Sequence, residues 1–341
     1  MAPLRGGLIG CGFFAQNHIY GWSEVKGVDI VALCDSSAER AHALAAKFHI
    51  AQTYGNAEQM LREAKLDFVD IVTQPASHRA LVELAAAHKT PVICQKPLAP
   101  SLEDARAMVA ACESAAIPFM VHENFRWQKP LRALKQAMNE IGEPFFGRVH
   151  FRSGYDPSIN QPYLAEAPRF ILYDVGVHIL DVARYLFGEA VQLTCQTQCV
   201  NPRIKGEDVA TVLLKMANGA TCVAEMSYAS KTTFDPFPQT LAHIEGSKGR
   251  ATLHQNYRIE IDNGETVRGF GTEIPLYNWT TPPFEAIQNS VVEIQRHWAN
   301  CLRSGTEPET SGADNLKTLE LVFGCYASAE RNEMYKMGQA L

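Results

Sequence analysis

Lys96, Asp174 and His178 are the side chains of this 341-residue chain whose types and surroundings best suit acid–base work. Lys96 follows the apolar run Val92-Ile93-Cys94-Gln95 and precedes Pro97, which puts an ammonium at the end of a buried strand. There it can donate to a hydroxyl and lower the pKa of neighbouring acids, with a solvated loop lysine as the competing reading. Asp174 and His178 stand four apart in Tyr173-Asp174-Val175-Gly176-Val177-His178, and helical spacing brings both to one face. A carboxylate beside an imidazole raises its basicity and orients its ring, as a base for a hydroxyl proton requires; a core histidine satisfied by a local aspartate has the same signature. Gly176, between the two, leaves space for a large group to approach.

A second cluster reads as a phosphate cradle. Gly10-Cys11-Gly12-Phe13-Phe14-Ala15 follows the apolar run Gly7-Leu8-Ile9 and opens a helical stretch, giving the form Gly-x-Gly-x-x-Ala. One glycine turns the chain out of the strand, the next lets the backbone approach a pyrophosphate, and the helix offers its first N–H groups to that anion. Ordinary strand-to-helix turns also use glycine pairs. The next apolar run, 28–34, ends in Asp35, 23 residues after Gly12 and near the spacing of roughly 20 expected for a carboxylate that accepts ribose hydroxyls. Its charge repels a 2′-phosphate and favours NAD over NADP, although Ser36, Ser37 and Arg40 offer phosphate donors and Asp35 has a rival role as a helix cap.

These residues need a scaffold, and the hydrophobic pattern supplies one. Strands are expected at 4–9, 28–34, 68–73, 91–94 and 117–121, with helices near 14–24, 37–48, 56–64, 78–88 and 101–114. Such alternation predicts a parallel sheet covered on both faces, with ligands at the carboxyl ends of its strands. Beyond Arg126 the pattern changes to a helix near 130–139, a strand near 146–154, a polar loop over 156–168 and a helix over 173–187. Strand-like segments follow at 190–200, 207–217, 219–229, 239–246, 249–254 and 257–261, then helices at 284–303 and 315–336. That predicts a largely antiparallel sheet, and a domain split at 1–124 and 125–341.

Composition narrows the partners. Hydrophobic residues make up 46% and charged residues 20%, the formal charge is −6, and no basic run or aromatic-basic interleaving suggests a nucleic-acid surface. Met1-Ala2-Pro3-Leu4-Arg5 runs straight into the first strand and no apolar stretch reaches the roughly 18 residues of a membrane span, so a cytoplasmic protein is expected. The nine cysteines are scattered through apolar contexts and read as reduced thiols. Cys195 and Cys199 are expected on one face of a strand, but without partner ligands they do not make a zinc site, and no metal is expected.

In combination, Gly10-x-Gly12-x-x-Ala15, Thr73-Gln74-Pro75-x-x-His78, Gln95-Lys96-Pro97, Asn124-x-Arg126 and Asp174-x-x-x-His178-x-x-Asp181 resemble the Gfo/Idh/MocA family of sugar and inositol dehydrogenases. The resemblance spans nearly the whole chain, including the Ile244-Glu245-Gly246-Ser247-Lys248-Gly249 turn. It implies an α/β plus α+β architecture: an N-terminal Rossmann doubly wound parallel sheet, then a largely antiparallel open sheet packed on helices. It also implies that Lys96, Asp174 and His178 form the catalytic trio. Residues expected at the cofactor are Gly10, Gly12, Phe13, Phe14, Asp35, Arg40, Thr73, Gln74, Pro75, His78, Gln95 and Lys96. Those expected at a carbohydrate, besides the trio, are Asn124, Arg126, Trp127, Tyr155 and Arg169. One position departs from the pattern, since the family's Glu-Lys-Pro is Gln95-Lys96-Pro97 here, which removes a charge beside Lys96.

The expected reaction is NAD-dependent hydride transfer from the C1 hydroxyl carbon of an aldose, giving a lactone. A cyclitol dehydrogenase, an NAD-using glycosidase and a non-catalytic NAD-binding protein remain alternatives. A one-sided open sheet commonly covers its free face with a copy of itself, so a homodimer or homotetramer is expected.

Overall fold

Short runs of β-branched and aliphatic residues, cut by glycine or polar residues at their carboxyl ends, build the first sheet. The computed structural model describes residues 2–159 and 161–339. Strands β1 (Leu4–Ile9), β2 (Val28–Cys34), β3 (Gln52–Tyr54), β4 (Phe68–Ile71), β5 (Val92–Gln95) and β6 (Phe119–His122) pair in the order β3-β2-β1-β4-β5-β6, all parallel. Helices α1 (Ala15–Ser23), α2 (Ala38–Phe48), α3 (Ala57–Glu63), α4 (Pro75–Ala87) and α5 (Leu102–Ser114) connect them. Strands β4, β5 and β6 are buried along their whole length, as a sheet with helices on both faces requires. The order reverses between β1 and β4, and at such a switch point the strand ends leave a crevice for a nucleotide.

The second sheet contains β7 (Pro144–Arg152), β8 (Ala190–Gln198), β9 (Val209–Met216), β10 (Thr221–Ser227), β11 (Leu241–Gly246), β12 (Gly249–Leu253), β13 (Arg258–Asp262), β14 (Val267–Gly271) and β15 (Tyr335–Lys336). Its order is β14-β13-β12-β11-β7-β10-β9-β8-β15, antiparallel throughout except for the β7–β10 pair. Helices α6 (Lys129–Ala137), α7 (Tyr163–Glu166), α8 (Val177–Phe187), α9 (Glu285–Ser304) and α10 (Gly312–Arg331) complete the chain. Burial alternates strictly along β9 and β11, so one face of this sheet is packed and the other is not. Phe187 of α8 seats on Gly147 of β7 so closely that a Cβ there would lie 2.0 Å from the ring.

The chain divides into two compact units. One holds the chain up to Asn124 together with Gln288–Lys317; the other holds Phe125–Ile287 and the chain from Thr318 onward. The first crossing lies between Asn124 and Phe125. The expected single boundary needs correction, because Gln288–Lys317 packs with the nucleotide sheet: Gln295 donates to the His18 carbonyl at 3.1 Å and Thr310 pairs with Val121. Within the expected 156–168 loop a short helix, α7, forms, and position 160 lies outside the described residues. The expected placement of Cys195 and Cys199 on one face of a strand also fails, because β8 ends at Gln198 and leaves Cys195 buried and Cys199 exposed.

Candidate active site

Gly10 leaves β1 with φ +100°, a left-handed conformation that disfavours any side chain, and a Cβ there would sit 2.6 Å from the Val72 carbonyl oxygen. At Gly12 a Cβ would meet nothing within 4 Å. The first glycine is therefore required by the protein's own packing, whereas the second keeps an open approach to the backbone. No side chain caps the N-terminus of α1, and Phe13 beside it is 59% exposed. A glycine turn with open space, leading into an uncapped helix start, fits a pyrophosphate.

Asp35 follows β2 and is nearly buried. Its Oδ2 accepts the Cys11 N–H at 2.8 Å, its Oδ1 accepts the Ser37 N–H at 2.8 Å, and the Arg40 guanidinium lies 3.3 Å from Oδ1. The carboxylate therefore braces the glycine turn and the start of α2, and the cap of α2 is Ser37 rather than Asp35. Burial, then Asp35, pushes the Cys11 thiol up to about 12 and Cys34 up to about 11, so neither is a thiolate beside this turn.

At the end of β4, Thr73 accepts a hydrogen bond from Ser77 at 2.8 Å, and Gln74 and Pro75 start α4. His78 is fully buried, with Nδ1 3.0 Å from the Leu98 carbonyl and Nε2 3.1 Å from the Thr73 carbonyl. Burial lowers its pKa against the pull of those carbonyls. The expectation that His78 touches the cofactor is corrected on this ground: it ties the loop after β4 to the loop after β5, and no atom of its side chain is accessible. Gln95 ends β5, and its Oε1 accepts the Lys96 N–H at 2.6 Å. The Lys96–Pro97 peptide is cis, and Lys96 is half-buried. Asn124, expected at a carbohydrate, donates its amide to the Ser290 hydroxyl at 2.7 Å and is buried.

In the second unit the Asp174–His178 segment begins with a π turn, Leu172–Gly176, that runs directly into α8. Glu207 supports this start: its carboxylate accepts the Phe170 and Leu172 N–H groups at 3.1 to 3.3 Å and the Tyr326 hydroxyl at 2.7 Å. A carboxylate at the positive end of a helix is favourable, and single π turns recur at functional sites. Gly176 does not leave open space, contrary to expectation, because a Cβ would lie 3.0 Å from the Met226 sulfur. The glycine lets the π turn rest on β10. His178 is 4% exposed and lies face to face with Phe125, ring centroids 3.7 Å apart. Burial, then the Asp174 and Tyr155 charges, pushes the Tyr228 phenol well above its ordinary pKa.

The remaining expected carbohydrate residues are placed as follows. Arg126 is buried and donates Nε and Nη2 to Asp181 at 2.7 and 2.5 Å, so its fork is directed into the protein. Trp127 has the Arg132 guanidinium over its ring at 4.0 Å, and Tyr155 stacks on Phe237 at 3.9 Å. Arg169 lies 4.6 Å over the Tyr326 ring and 3.6 Å from Glu330. Reasoning from sequence missed His18 and Asp70, both fully buried and hydrogen-bonded at 2.8 Å, as well as Tyr228. Asp70 carried a signal, a charge inside the apolar strand Phe68-Val69-Asp70-Ile71.

No helix among the described residues is long and apolar enough to cross a membrane. Residues 4–123 match the oxidoreductase family with an NAD-binding Rossmann fold, and residues 131–252 match the C-terminal domain of the same family. The chain is 51% identical to a D-apiose dehydrogenase from Rhizobium rhizogenes, covering all of this chain and 99% of that protein. It is also 51% identical to one from Paraburkholderia graminis, covering 98% of this chain and 90% of that protein. A crystal structure of an oxidoreductase from Agrobacterium radiobacter, in complex with NAD+, L-tartaric acid and magnesium, superimposes with a TM-score of 0.97 at 50% identity, covering 99% of each chain. With both family domains matched along a chain that carries a 3-2-1-4-5-6 sheet followed by this mixed second sheet, the protein is a member of the Gfo/Idh/MocA family: an NAD-dependent oxidoreductase that acts on CH–OH groups.

Proposed function

We propose that this protein oxidises D-apiose, an aldose, at its C1 hydroxyl to the lactone. The observation that carries the substrate assignment is the 51% identity, over essentially full length, to two proteins named for that activity. The opening Gly7-Leu8-Ile9-Gly10-Cys11-Gly12-Phe13-Phe14-Ala15-Gln16-Asn17-His18 is also similar to those of bacterial D-apiose dehydrogenases.

Bound NAD+ supplies a hydride acceptor at nicotinamide C4. Gly12 and the start of α1 hold its pyrophosphate, Asp35 takes the ribose hydroxyls, and Phe13, Phe14, Arg40, Thr73, Gln74 and Pro75 flank it. His178, oriented by Phe125 and assisted by Asp174, takes the hydroxyl proton while the C1–H bond gives up its electron pair as hydride. Lys96 donates to the oxygen that becomes the carbonyl. Of the polar residues expected at the sugar, Trp127, Tyr155 and Arg169 have exposed edges, whereas Asn124 and Arg126 act by holding their neighbours in place.

Nine free cysteines among the described residues suit a reducing compartment, and we assign the protein to the cytoplasm on that basis. The unpacked face of the second sheet supports a homodimer or homotetramer. An NAD-coupled screen of aldoses, branched sugars and cyclitols tests the reading. D-apiose is expected to give the largest rise in NADH absorbance, with Lys96→Met lowering turnover by about a hundredfold or more at nearly unchanged NAD affinity. NAD binding without NADH from any sugar would overturn it in favour of a non-catalytic NAD protein.

A further inference from the structure

Gln95, the one departure from the family's Glu-Lys-Pro, has its orientation dictated by chemistry. The Lys96 N–H points at one end of the Gln95 amide, 2.6 Å away, and an amide NH2 group cannot accept a hydrogen bond, so that end is Oε1. The NH2 end therefore faces Nε2 of His18, at 2.9 Å. As a donor, it requires Nε2 to be an unprotonated acceptor. The ring hydrogen then sits on Nδ1 and is donated to Asp70 Oδ2 at 2.8 Å, an oxygen that also accepts the Trp22 indole N–H at 2.7 Å. Each proton along the line has one place to be.

The environment keeps water out. His18 and Asp70 are fully buried, Trp22 is 1% exposed and Gln95 is 9% exposed. Among the described residues, the titratable groups against the His18 ring are Asp70 from β4, bonded at 2.8 Å, and His122 from β6, whose ring centroid lies 4.2 Å away; Lys96, whose N–H is held by Gln95, follows β5. Phe14 meets the ring edge-on, and on the α9 side Gln295 holds the His18 carbonyl. Asp70 is the carboxylate of this cluster, and its Oδ2 takes two donors, the imidazole and the Trp22 indole, without a second charge.

A glutamate at position 95 would change the arithmetic. One carboxylate oxygen would take the Lys96 N–H, and the other would face Nε2 of His18, which must then carry a second proton to avoid opposing lone pairs. The net charge of Asp70, His18 and residue 95 would stay at −1 while that proton is held and become −2 when rising pH removes it. With glutamine, the amide NH2 occupies the direction in which a second His18 proton would point.

We propose that Asp70, His18 and Gln95 form a positioning relay that fixes the Lys96 backbone, and that glutamine at 95 makes this relay indifferent to pH. The relay's effect on turnover rests on the assignment of Lys96 to the reaction; its protonation pattern does not.

Two measurements test it. In protein labelled with 15N-histidine, with the His18 signals assigned by comparison with His18→Gln, His18 is expected as the neutral Nδ1–H tautomer at every pH where the protein is folded. Gln95→Glu is expected to show a doubly protonated His18 at low pH that loses a proton as pH rises. With the sugar substrate, the turnover of Gln95→Glu relative to the parent should fall about tenfold from the acid to the alkaline side. Gln95→Met, which removes both hydrogen bonds, should lower turnover by roughly tenfold at every pH without changing the profile's shape. An imidazolium or Nε2–H tautomer in the parent protein, or matching pH profiles for parent and Gln95→Glu, overturns the relay. If no sugar yields NADH, the substrate reading fails while the tautomer measurement still decides this one.

Discussion

The imidazole of His178 lies flat on the ring of Phe125, 3.7 Å between centroids and 6° from parallel. Phe125 opens the short turn Phe125–Trp127 that leads to α6, while His178 sits one residue into α8. Stacking fixes the plane of the ring and so the direction in which its nitrogens point. In the reaction proposed above, a base with a set direction spends less of its time misaligned with the proton it takes. Replacing Phe125 with leucine keeps the apolar contact and removes the flat partner. Turnover should fall about three- to tenfold, the equivalent of an aromatic pair worth about 0.5–1.5 kcal/mol, with the KM for NAD unchanged. Steady-state kinetics of Phe125→Leu against both substrates checks it, and an unchanged kcat would remove the orienting role.

The two cradle glycines should fail in different ways. Gly10→Ala meets the Val72 carbonyl and a left-handed backbone, so it should unfold at a lower temperature by several degrees. Gly12→Ala meets no protein atom within 4 Å and should keep the parent melting temperature while NAD affinity drops at least tenfold. Thermal melts and NAD titrations of both variants separate these outcomes; equal melting losses would contradict the open cradle.

Arg126 and Asp181 form a buried, two-pronged ion pair, extended by the Thr318 hydroxyl, which donates to Asp181 at 3.1 Å. Arg126→Met leaves Asp181 without its main counter-ion and should destabilise the fold by about 3–5 kcal/mol. Removing both charges, with Asp181→Leu in the same chain, should recover much of that loss. Denaturant midpoints of the single and double variants form the test, and a double variant as unstable as the single would show the pair itself to be required.

His150 projects from β7 beside Arg148 and Arg152, on the face opposite Phe187. Loss of water, then Arg148, with Arg152 adding and Glu225 opposing, pushes its pKa down to about 4. An unfolded histidine binds its proton near about 6.5, so between these values the unfolded chain takes up a proton that the folded chain refuses. Stability should therefore fall by on the order of 1–2 kcal/mol as pH drops through that window, after allowance for partial exposure. His150→Gln should lose this part of the acid sensitivity. Urea midpoints at several pH values compare the two, and parallel curves would refute the assignment.

Much of the scaffold could be read directly from residue order. β1 and β2 have the expected ends because glycine and aspartate follow directly on the apolar stretches Leu8-Ile9 and Ile30-Val31-Ala32-Leu33-Cys34. β3 was invisible, since Gln52-Thr53-Tyr54 is a three-residue edge strand with no apolar run to announce it. The last helix was expected to run to 336 but stops at Arg331; Asn332 takes φ 54°, and Tyr335–Lys336 turns back to pair with β8.

The site was legible as chemistry but not as local geometry. The spacing of Asp174 and His178 fits one helical face, yet it does not reveal the π turn before α8 or that its first N–H groups donate to Glu207, more than thirty residues further on. Periodicity over 284–303 reveals an apolar face without saying which sheet it covers. His78 and Arg126 have the side chains of ligand contacts, and only burial shows that both are directed into the protein.

The return of Gln288–Lys317 to the nucleotide-side unit governs how the polypeptide can be cut and recombined. A fragment stopped at Asn124 would bare Gly21, against which Val291 and Gln295 now pack, and would lose the amide that Gln295 gives to His18. Chimeras that graft a new sugar specificity onto this dehydrogenase must therefore exchange two stretches of coding sequence at matched junctions, because a single splice divides the nucleotide half.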